Sequence, residues 1–446
     1  MEYREHIASV LEKETKLGKE QILGCLEQPK DVSLGDYAFP CFALSKKFRK
    51  SPAEISSDLS LKIKPDRVIA KIESKGPYLN FFIAKGDFAE SVLKSIFSQK
   101  GDYGKGPKKT DRVMVEYSQP NTHKAFHVGH LRGTSIGESL SRILKFSGYK
   151  VVQANYMGDT GAHVAKWLWC YMKFHKGERP PKENAEKWIA SIYVEAVGKT
   201  TEDTQKEIDE VNYKLENNLD KELKKLWQES RKWSLDCFDL IYKELDAHFD
   251  ALFFEGELDK RAKEISESLI AKKIVEVSDG ATIIDLKKYN LGVWVLLRKD
   301  GTVLYSAKDL ALAERKFTEF KIDKSIYVVG AAQSMHLSQL FKTLELMGFK
   351  NAEKCHHLSF LEVRLPTGKM SSRTGQNILY SDLKHELLGK LKEEVDKRHP
   401  DWDEKRKESS VQSIFSAAIK FDMLLQDYNR VIVFDIARAM DFEGET

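Results

Sequence analysis

Cysteine is scarce: Cys25, Cys41, Cys170, Cys237 and Cys355 are the five in 446 residues, and no two stand in C-x-x-C spacing. An odd, scattered set excludes a disulfide framework and predicts reduced thiols in a cytoplasmic protein. No group of cysteines and histidines has zinc-ligand spacing, and His356-His357 is a pair without further ligands, so no metal site is expected. Long apolar runs are missing too; none approaches the roughly 20 residues that cross a bilayer, so no membrane partner is expected. The start, Met1-Glu2-Tyr3-Arg4-Glu5, is acidic early and has no apolar core, which argues against a secretory or organellar address. Charge of one sign is also lacking. With 72 basic and 68 acidic side chains the net charge is +4, too small a surplus to require a nucleic-acid partner by itself. Neither repeats nor low-complexity tracts occur.

What remains is material for several cores: 41% of the residues are hydrophobic, and the length predicts two to four domains. Residues 1–105 read as a small α+β domain. An amphipathic helix is expected over Tyr3 to Glu14, a turn at Gly35 to Pro40 (GDYAFP), a helix over Cys41 to Phe48, and a further helix capped by Ser51-Pro52. Lys75-Gly76-Pro77-Tyr78 then turns into a strand, Leu79 to Ile83. The Gly- and Lys-rich stretch Gly101 to Thr110 marks the boundary. Residues 106–380 read as a parallel α/β domain: strand Val113 to Tyr117, helix Leu131 to Leu144, strand Val151 to Ala154, the order of a βαβ unit. A charged helical insertion is expected near 175–260, then hairpins between Ile274 and Tyr305 at Asp279-Gly280 and Asp300-Gly301. A helix at Leu310 to Phe317, a strand at Ser325 to Val329 and the turn Gly330 to Gln333 follow. Residues 381–446 read as a helical segment, with good amphipathic spacing over Val411 to Leu425.

Two short motifs carry the chemistry. His127-Val128-Gly129-His130 falls at the expected strand-to-helix turn, and Gly368-Lys369-Met370-Ser371-Ser372-Arg373 comes much later. A helix start offers backbone N–H groups and the positive end of the helix dipole, which favour phosphate. Two imidazoles three residues apart can donate to triphosphate oxygens where charge builds during attack on the α-phosphate. Gly129 is expected to leave room for a flat base, and Lys369 to close the other side. Glu116, in an otherwise apolar strand, demands a partner, because a buried carboxylate alone costs several kcal/mol. The basic clusters Lys46 to Lys50 (KKFRK) and Lys105 to Lys109 (KGPKK) suit either a phosphate backbone or a solvated face.

In that order, and separated by a long α/β stretch, the two motifs resemble the paired signatures of class I aminoacyl-tRNA synthetases. The run Val115 to His130 (VEYSQPNTHKAFHVGH) is similar to arginyl-tRNA synthetases in particular. Further likenesses follow in the family's order: GDYAFP and GPYLNFFI in the first hundred residues, Asn155 to Gly161 (NYMGDTG), Asp300 to Asp309 (DGTVLYSAKD), Val328 to Gln333 (VVGAAQ) and Phe442 to Thr446 (FEGET). The resemblance implies a Rossmann-like catalytic domain, an N-terminal domain that contacts the tRNA elbow, and a chain that stops before the family's anticodon-binding helical domain.

It also implies roles. His127, His130, Lys124 and Lys369 would act on the phosphates; Gly129, Gly330, Met370 and Ser371 would hold ATP; Glu116, Asn121, Tyr305, Asp309 and Gln333 would hold L-arginine. Acids suit that substrate, since a planar guanidinium pairs with a carboxylate in bidentate fashion. A site of buried polar partners rejects analogues by up to about 10⁴–10⁵, so no editing domain is needed. Ser372 stands where many class I enzymes have a second lysine, and by resemblance Lys124 supplies that charge; Gln119 stands where serine is common. The implied activity is arginine–tRNA ligation with ATP and Mg²⁺, by a monomer. Two rivals are a paralogue that adenylates arginine for a non-tRNA acceptor and a non-catalytic tRNA-binding pseudo-synthetase, against which His127, His130 and Lys369 speak.

Overall fold

A computed structural model describes residues 3–299, 301–364 and 379–433. The chain divides into two compact units, Met1–Lys105 and Gly106–Thr446.

In the first unit a three-stranded antiparallel sheet carries helices Tyr3–Thr15 and Pro52–Lys62 on a core that includes Ile7, Leu11, Phe39, Leu59 and Phe81. Ser51 and Glu54 form a reciprocal capping box with Pro52 in the first turn, so the expected helix start stands. The expected turn at GDYAFP is shorter than read. Gly35, at φ +94°, makes it with Asp36, while Tyr37–Pro40 is already a strand paired antiparallel with Tyr78–Phe81. Pro40 is tolerated because it ends an edge strand, where no ladder N–H is needed. Ile69–Lys75 supplies the third strand, which had no alternation to betray it. The Cys41 to Phe48 helix is a 3₁₀ turn, Cys41–Leu44, continued by Ser45–Phe48.

The second unit is built on a five-stranded parallel sheet in the order Cys355–Phe360, Lys324–Gly330, Arg112–Glu116, Lys150–Met157, Ala251–Phe254. Helix Val128–Phe146 covers one face over Val113, Val115 and Val328; helices Asp259–Ala271, Tyr305–Phe320 and Ser334–Leu346 cover the other over Met114, Val152 and Phe253. This is a Rossmann-like α/β layer arrangement. From Arg112–Glu116 the chain first adds strands on one side and later on the other. The crevice beyond Glu116 and Tyr327, at the strands' C-terminal ends, is therefore the topological switch point where such sheets bind ligands.

In the interval 175–260, where a helical insertion is expected, the run of helices ends at Glu244. Helices Ala185–Gly198, Glu202–Glu216 and Lys221–Glu244 share a core with Ala162–Phe174, including Trp167, Ile189, Ile208 and Leu223. Ala251–Phe254, inside the interval read as insertion, is the sheet's edge strand, paired with Ala154–Met157. Four residues in a charged stretch are too few for periodicity to separate strand from helix. Beyond it Glu276–Ser278, Ala281–Asp285 and Val293–Leu297 form a small antiparallel sheet. Asp279 and Gly280 both have positive φ, +49° and +84°, as a two-residue hairpin turn of the mirror-image type requires. Helices Tyr380–Arg398 and Glu404–Leu425 follow, and meet the start of Val128–Phe146 through Phe126, Leu131, Leu387 and Phe415. Among the described residues no helix is long and apolar enough to cross a membrane.

Candidate functional site

The loop between Glu116 and helix Val128–Phe146 is held in a conformation that side chains rarely adopt. Ser118, Gln119 and His123 have φ of +80°, +47° and +62°. Each such residue costs on the order of 1–3 kcal/mol and persists only where surroundings over-determine it. Here they do. Asn155 Oδ1 accepts from the Gln119 N–H at 3.1 Å, Ser118 Oγ lies 2.8 Å from the Tyr242 hydroxyl, and the His123 N–H donates to Ser234 Oγ at 2.9 Å. His123 Nε2 meets Ser230 at 2.8 Å. Tyr242, Ser234 and Ser230 all lie on Lys221–Glu244, so the insertion buttresses the loop.

His127 is the N-cap of the helix. The Gly129 N–H donates to His127 Nδ1 at 3.1 Å, the His127 N–H donates to His130 Nδ1 at 3.2 Å, and the rings stack with centroids 3.8 Å apart. Both Nδ1 atoms therefore accept, which puts the proton of each neutral ring on Nε2. Burial holds the rings neutral: His127 is pushed down to about 4, and His130 falls well below its ordinary value, with the Lys124 charge adding to both shifts. Two expectations change. The N–H groups of His127 and Gly129 serve the imidazoles, and those of His130 and Leu131 donate to the His127 carbonyl, so the donors left at this helix start are the Nε2–H groups. The space at Gly129 is filled by the His127 ring, which would stand 2.9 Å from an added Cβ.

A cavity of about 620 Å³ opens at the switch point. His127, Gly129 and His130 line it from the helix start, Glu116 from the end of its strand and Asn121 from the loop, and Tyr305, Asp309, Gly330 and Gln333 also form its wall. Asn121 bridges to Gly158, where an added Cβ would stand 2.2 Å from its Oδ1. Tyr305 and Asp309 share helix Tyr305–Phe320, one turn apart. Lys124 is not part of the wall; its ammonium lies over the Tyr193 ring at 5.1 Å, on the insertion. Lys369, Met370 and Ser371, and the Phe442 to Thr446 stretch, lie outside the described residues.

Several wall residues carry no sequence signal. Glu116 pairs through Oε2 with Lys316 Nζ at 2.6 Å, so its demanded partner is a lysine 200 positions on. Asp309 Oδ2 accepts from His336 Nε2 at 2.5 Å, and His336 Nδ1 accepts from the Trp294 indole at 3.3 Å. Glu255 is pushed up to about 7 by burial. The buried Tyr156 hydroxyl has no hydrogen-bond partner among the described residues and sits in the fields of Asp309, Glu255, Glu116 and Asp159, which with burial raise it well above 10. NYMGDTG, which contains Tyr156, was the available clue to this wall. Carboxyl groups thus gather around Tyr156, and the same cavity is lined by the neutral imidazoles of His127 and His130.

Among the described residues one group of potential metal-ligating atoms comes together, Cys170, His175 and Glu195, away from the cavity. His175 already bridges Glu178 and Glu195 at 3.0 and 2.9 Å, and Lys199 holds the other Glu195 oxygen at 2.8 Å. An ion network accounts for this cluster.

Residues 92–436 match the model described as tRNA synthetases class I (R), catalytic domain, and residues 1–83 match the arginyl tRNA synthetase N terminal domain. The arginine–tRNA ligase of Bdellovibrio bacteriovorus is 36% identical over 96% of this chain and 74% of its own length; that of Clostridioides difficile is 36% identical over 98% and 77%. The solved Thermus thermophilus arginyl-tRNA synthetase superposes with a TM-score of 0.69 at 24% identity, covering 99% of this chain and 79% of that one. The chain belongs to the class I arginyl-tRNA synthetase family.

Proposed function

We propose that the chain is an arginine–tRNA ligase that uses ATP. The carboxylate of L-arginine attacks the α-phosphorus of ATP, arginyl-adenylate forms and pyrophosphate leaves; a terminal ribose hydroxyl of the tRNA then attacks the arginyl carbonyl and AMP departs. The observation that carries the reading is a single cavity lined both by the carboxylates of Glu116, Asp309 and Glu255 and by the paired imidazoles of His127 and His130. A guanidinium needs carboxylates and a triphosphate needs donors, and one substrate pair supplies both.

In this reading Asp309 and Tyr305 take the guanidinium, Glu116, Asn121 and Gln333 take the polar groups at the other end of the amino acid, and Gly330 and Gly129 border the nucleotide. His127 and His130 donate Nε2–H to phosphate oxygens, and Lys124 and Lys369 add positive charge. Met370 and Ser371 would close on ATP. Mg²⁺ would accompany the triphosphate and would supply neutralisation of its charge. Positioning and electrostatics supply the rate, and no covalent enzyme intermediate is formed. The unit Met1–Lys105 would take the tRNA elbow, and the protein would work as a cytoplasmic monomer. Charging is the test: arginine should become acid-stable but base-labile on arginine tRNA, while lysine should not. Transfer of arginine to a small acceptor with no tRNA charging would favour the paralogue reading instead.

A further inference from the structure

The insertion does more than buttress the histidine loop. Glu186, in the first turn of Ala185–Gly198, is buried and accepts the Phe126 N–H at 2.7 Å, one residue before His127. The Phe126 carbonyl in turn accepts from the Tyr380 N–H at 3.0 Å, and His127 makes an antiparallel bridge to Leu379. Leu379 and Tyr380 open the helix that follows the lysine motif in sequence. The Phe126 and Tyr380 rings meet edge to face at 6.0 Å, and the Tyr380 hydroxyl donates to Glu244 at 2.9 Å. Ser381 lies beside the Glu186 carboxylate, and Lys187, the next residue, pairs with Asp382. One helix start therefore holds both the residue before the first signature and the residues after the second.

We propose that Glu186 is a positioning residue that locks Leu379–Asp382 against the histidine turn, so that His127 and His130 meet the triphosphate in fixed register. The last clause rests on the reading of the site as ATP-binding; the lock itself does not. Among the described residues no backbone acceptor serves the Phe126 N–H, so without the Glu186 carboxyl that buried donor is orphaned, which opens the pairing from the middle. Burial raises the Glu186 carboxyl to about 7, and a protonated carboxyl could still accept the Phe126 N–H while donating to Ser381.

Amide hydrogen exchange tests the lock. In the wild-type chain the Phe126 and Tyr380 amides should open together, with one common dependence on denaturant. In Glu186→Leu, peptides spanning 123–130 and 379–383 should both exchange at least about tenfold faster, the factor carried by one hydrogen bond to a buried charged group. A peptide over 165–171 should not change. Glu186→Gln keeps an oxygen acceptor and should keep the protection. In steady-state exchange kinetics Glu186→Leu should raise KM for ATP and leave KM for arginine near wild type. Independent opening of Phe126 and Tyr380, or unaltered protection in Glu186→Leu, overturns the proposal. So does loosening that extends to 165–171, which would make Glu186 a general packing residue. A wild-type chain without ATP–pyrophosphate exchange would defeat the functional reading and leave the hydrogen-exchange result to decide the lock.

Discussion

Glu116 and Lys316 form an ion pair inside the sheet domain: their charged atoms are 2.6 Å apart, Lys316 is 0% and Glu116 4% exposed, and the ammonium also lies 3.8 Å from the Tyr327 ring centroid. Lysine at this position cannot be reached by water, so it serves the carboxylate, which in turn faces the cavity. Lys316→Met should destabilise the chain by about 3–5 kcal/mol, because it leaves a buried charge unpaired. Adding Glu116→Gln to it should restore much of that loss. Urea unfolding of the two single variants and the double variant checks the coupling. A double-variant loss equal to the sum of the two single losses would show that the pair is not coupled.

Asp309 and His336 make the second partnership in the cavity. Asp309→Asn keeps size but removes the charge a guanidinium needs, and should lower kcat/KM for arginine by about 30-fold or more, the equivalent of roughly 2 kcal/mol. KM for ATP should stay near wild type. His336→Gln keeps a donor for Asp309 and should cost less than Asp309→Asn. Equal effects on both substrates would remove Asp309 from arginine recognition.

Removing the His130 imidazole, by His130→Ala, should slow adenylate formation about 10²–10³-fold, as loss of one aligned donor to developing charge does. The pH dependence has a definite sign. His127 binds protons less readily folded, at about 4, than at its ordinary 6.5, so between these values the unfolded chain carries the extra proton. Its contribution to stability is present above pH 6.5 and is lost as pH falls towards 4, on the order of 1–3 kcal/mol. Glu186 and Glu255, both raised to about 7 from 4.5, act oppositely, losing stability as pH rises through that window. The readable quantity is therefore the difference between wild type and His127→Gln. Its stability advantage at pH 7 should shrink on acidification, as measured by thermal unfolding at pH 5 and 7.

Gly137 lies where helix Val128–Phe146 passes the Tyr117 ring, and an added Cβ would stand 2.1 Å from Tyr117 Cγ. Alanine would gain about 1 kcal/mol of helix propensity, yet the overlap cannot be relieved without moving a ring whose hydroxyl bonds Glu138 at 2.6 Å. Overpacking of about 1–3 kcal/mol should win, and Gly137→Ala should lower Tm. A raised Tm would contradict the packing described.

The histidine turn was legible because a helix start is written in a few consecutive residues. The hairpin at Asp279-Gly280 was legible for the same reason. What could not be read was partnership across distance. Glu116 announced that it needed a cation, but nothing in the helix containing Lys316 says which way that side chain points. The insertion looked like a charged, chemically silent stretch; Glu186, Ser230, Ser234 and Tyr242 act through buried contacts with the loop, and burial follows from the tertiary fold. Tyr37–Pro40 and Ala251–Phe254 were missed because four-residue strands carry too little period, and their identity comes from the neighbour they pair with.

Arginine-dependent ATP–pyrophosphate exchange by this chain, with lysine as control and with or without arginine tRNA, tests the central claim most directly. The account predicts exchange with arginine and none with lysine, lost in His130→Ala and weakened in Asp309→Asn. Absence of exchange in folded protein under every condition, or exchange indifferent to the amino acid, would contradict it.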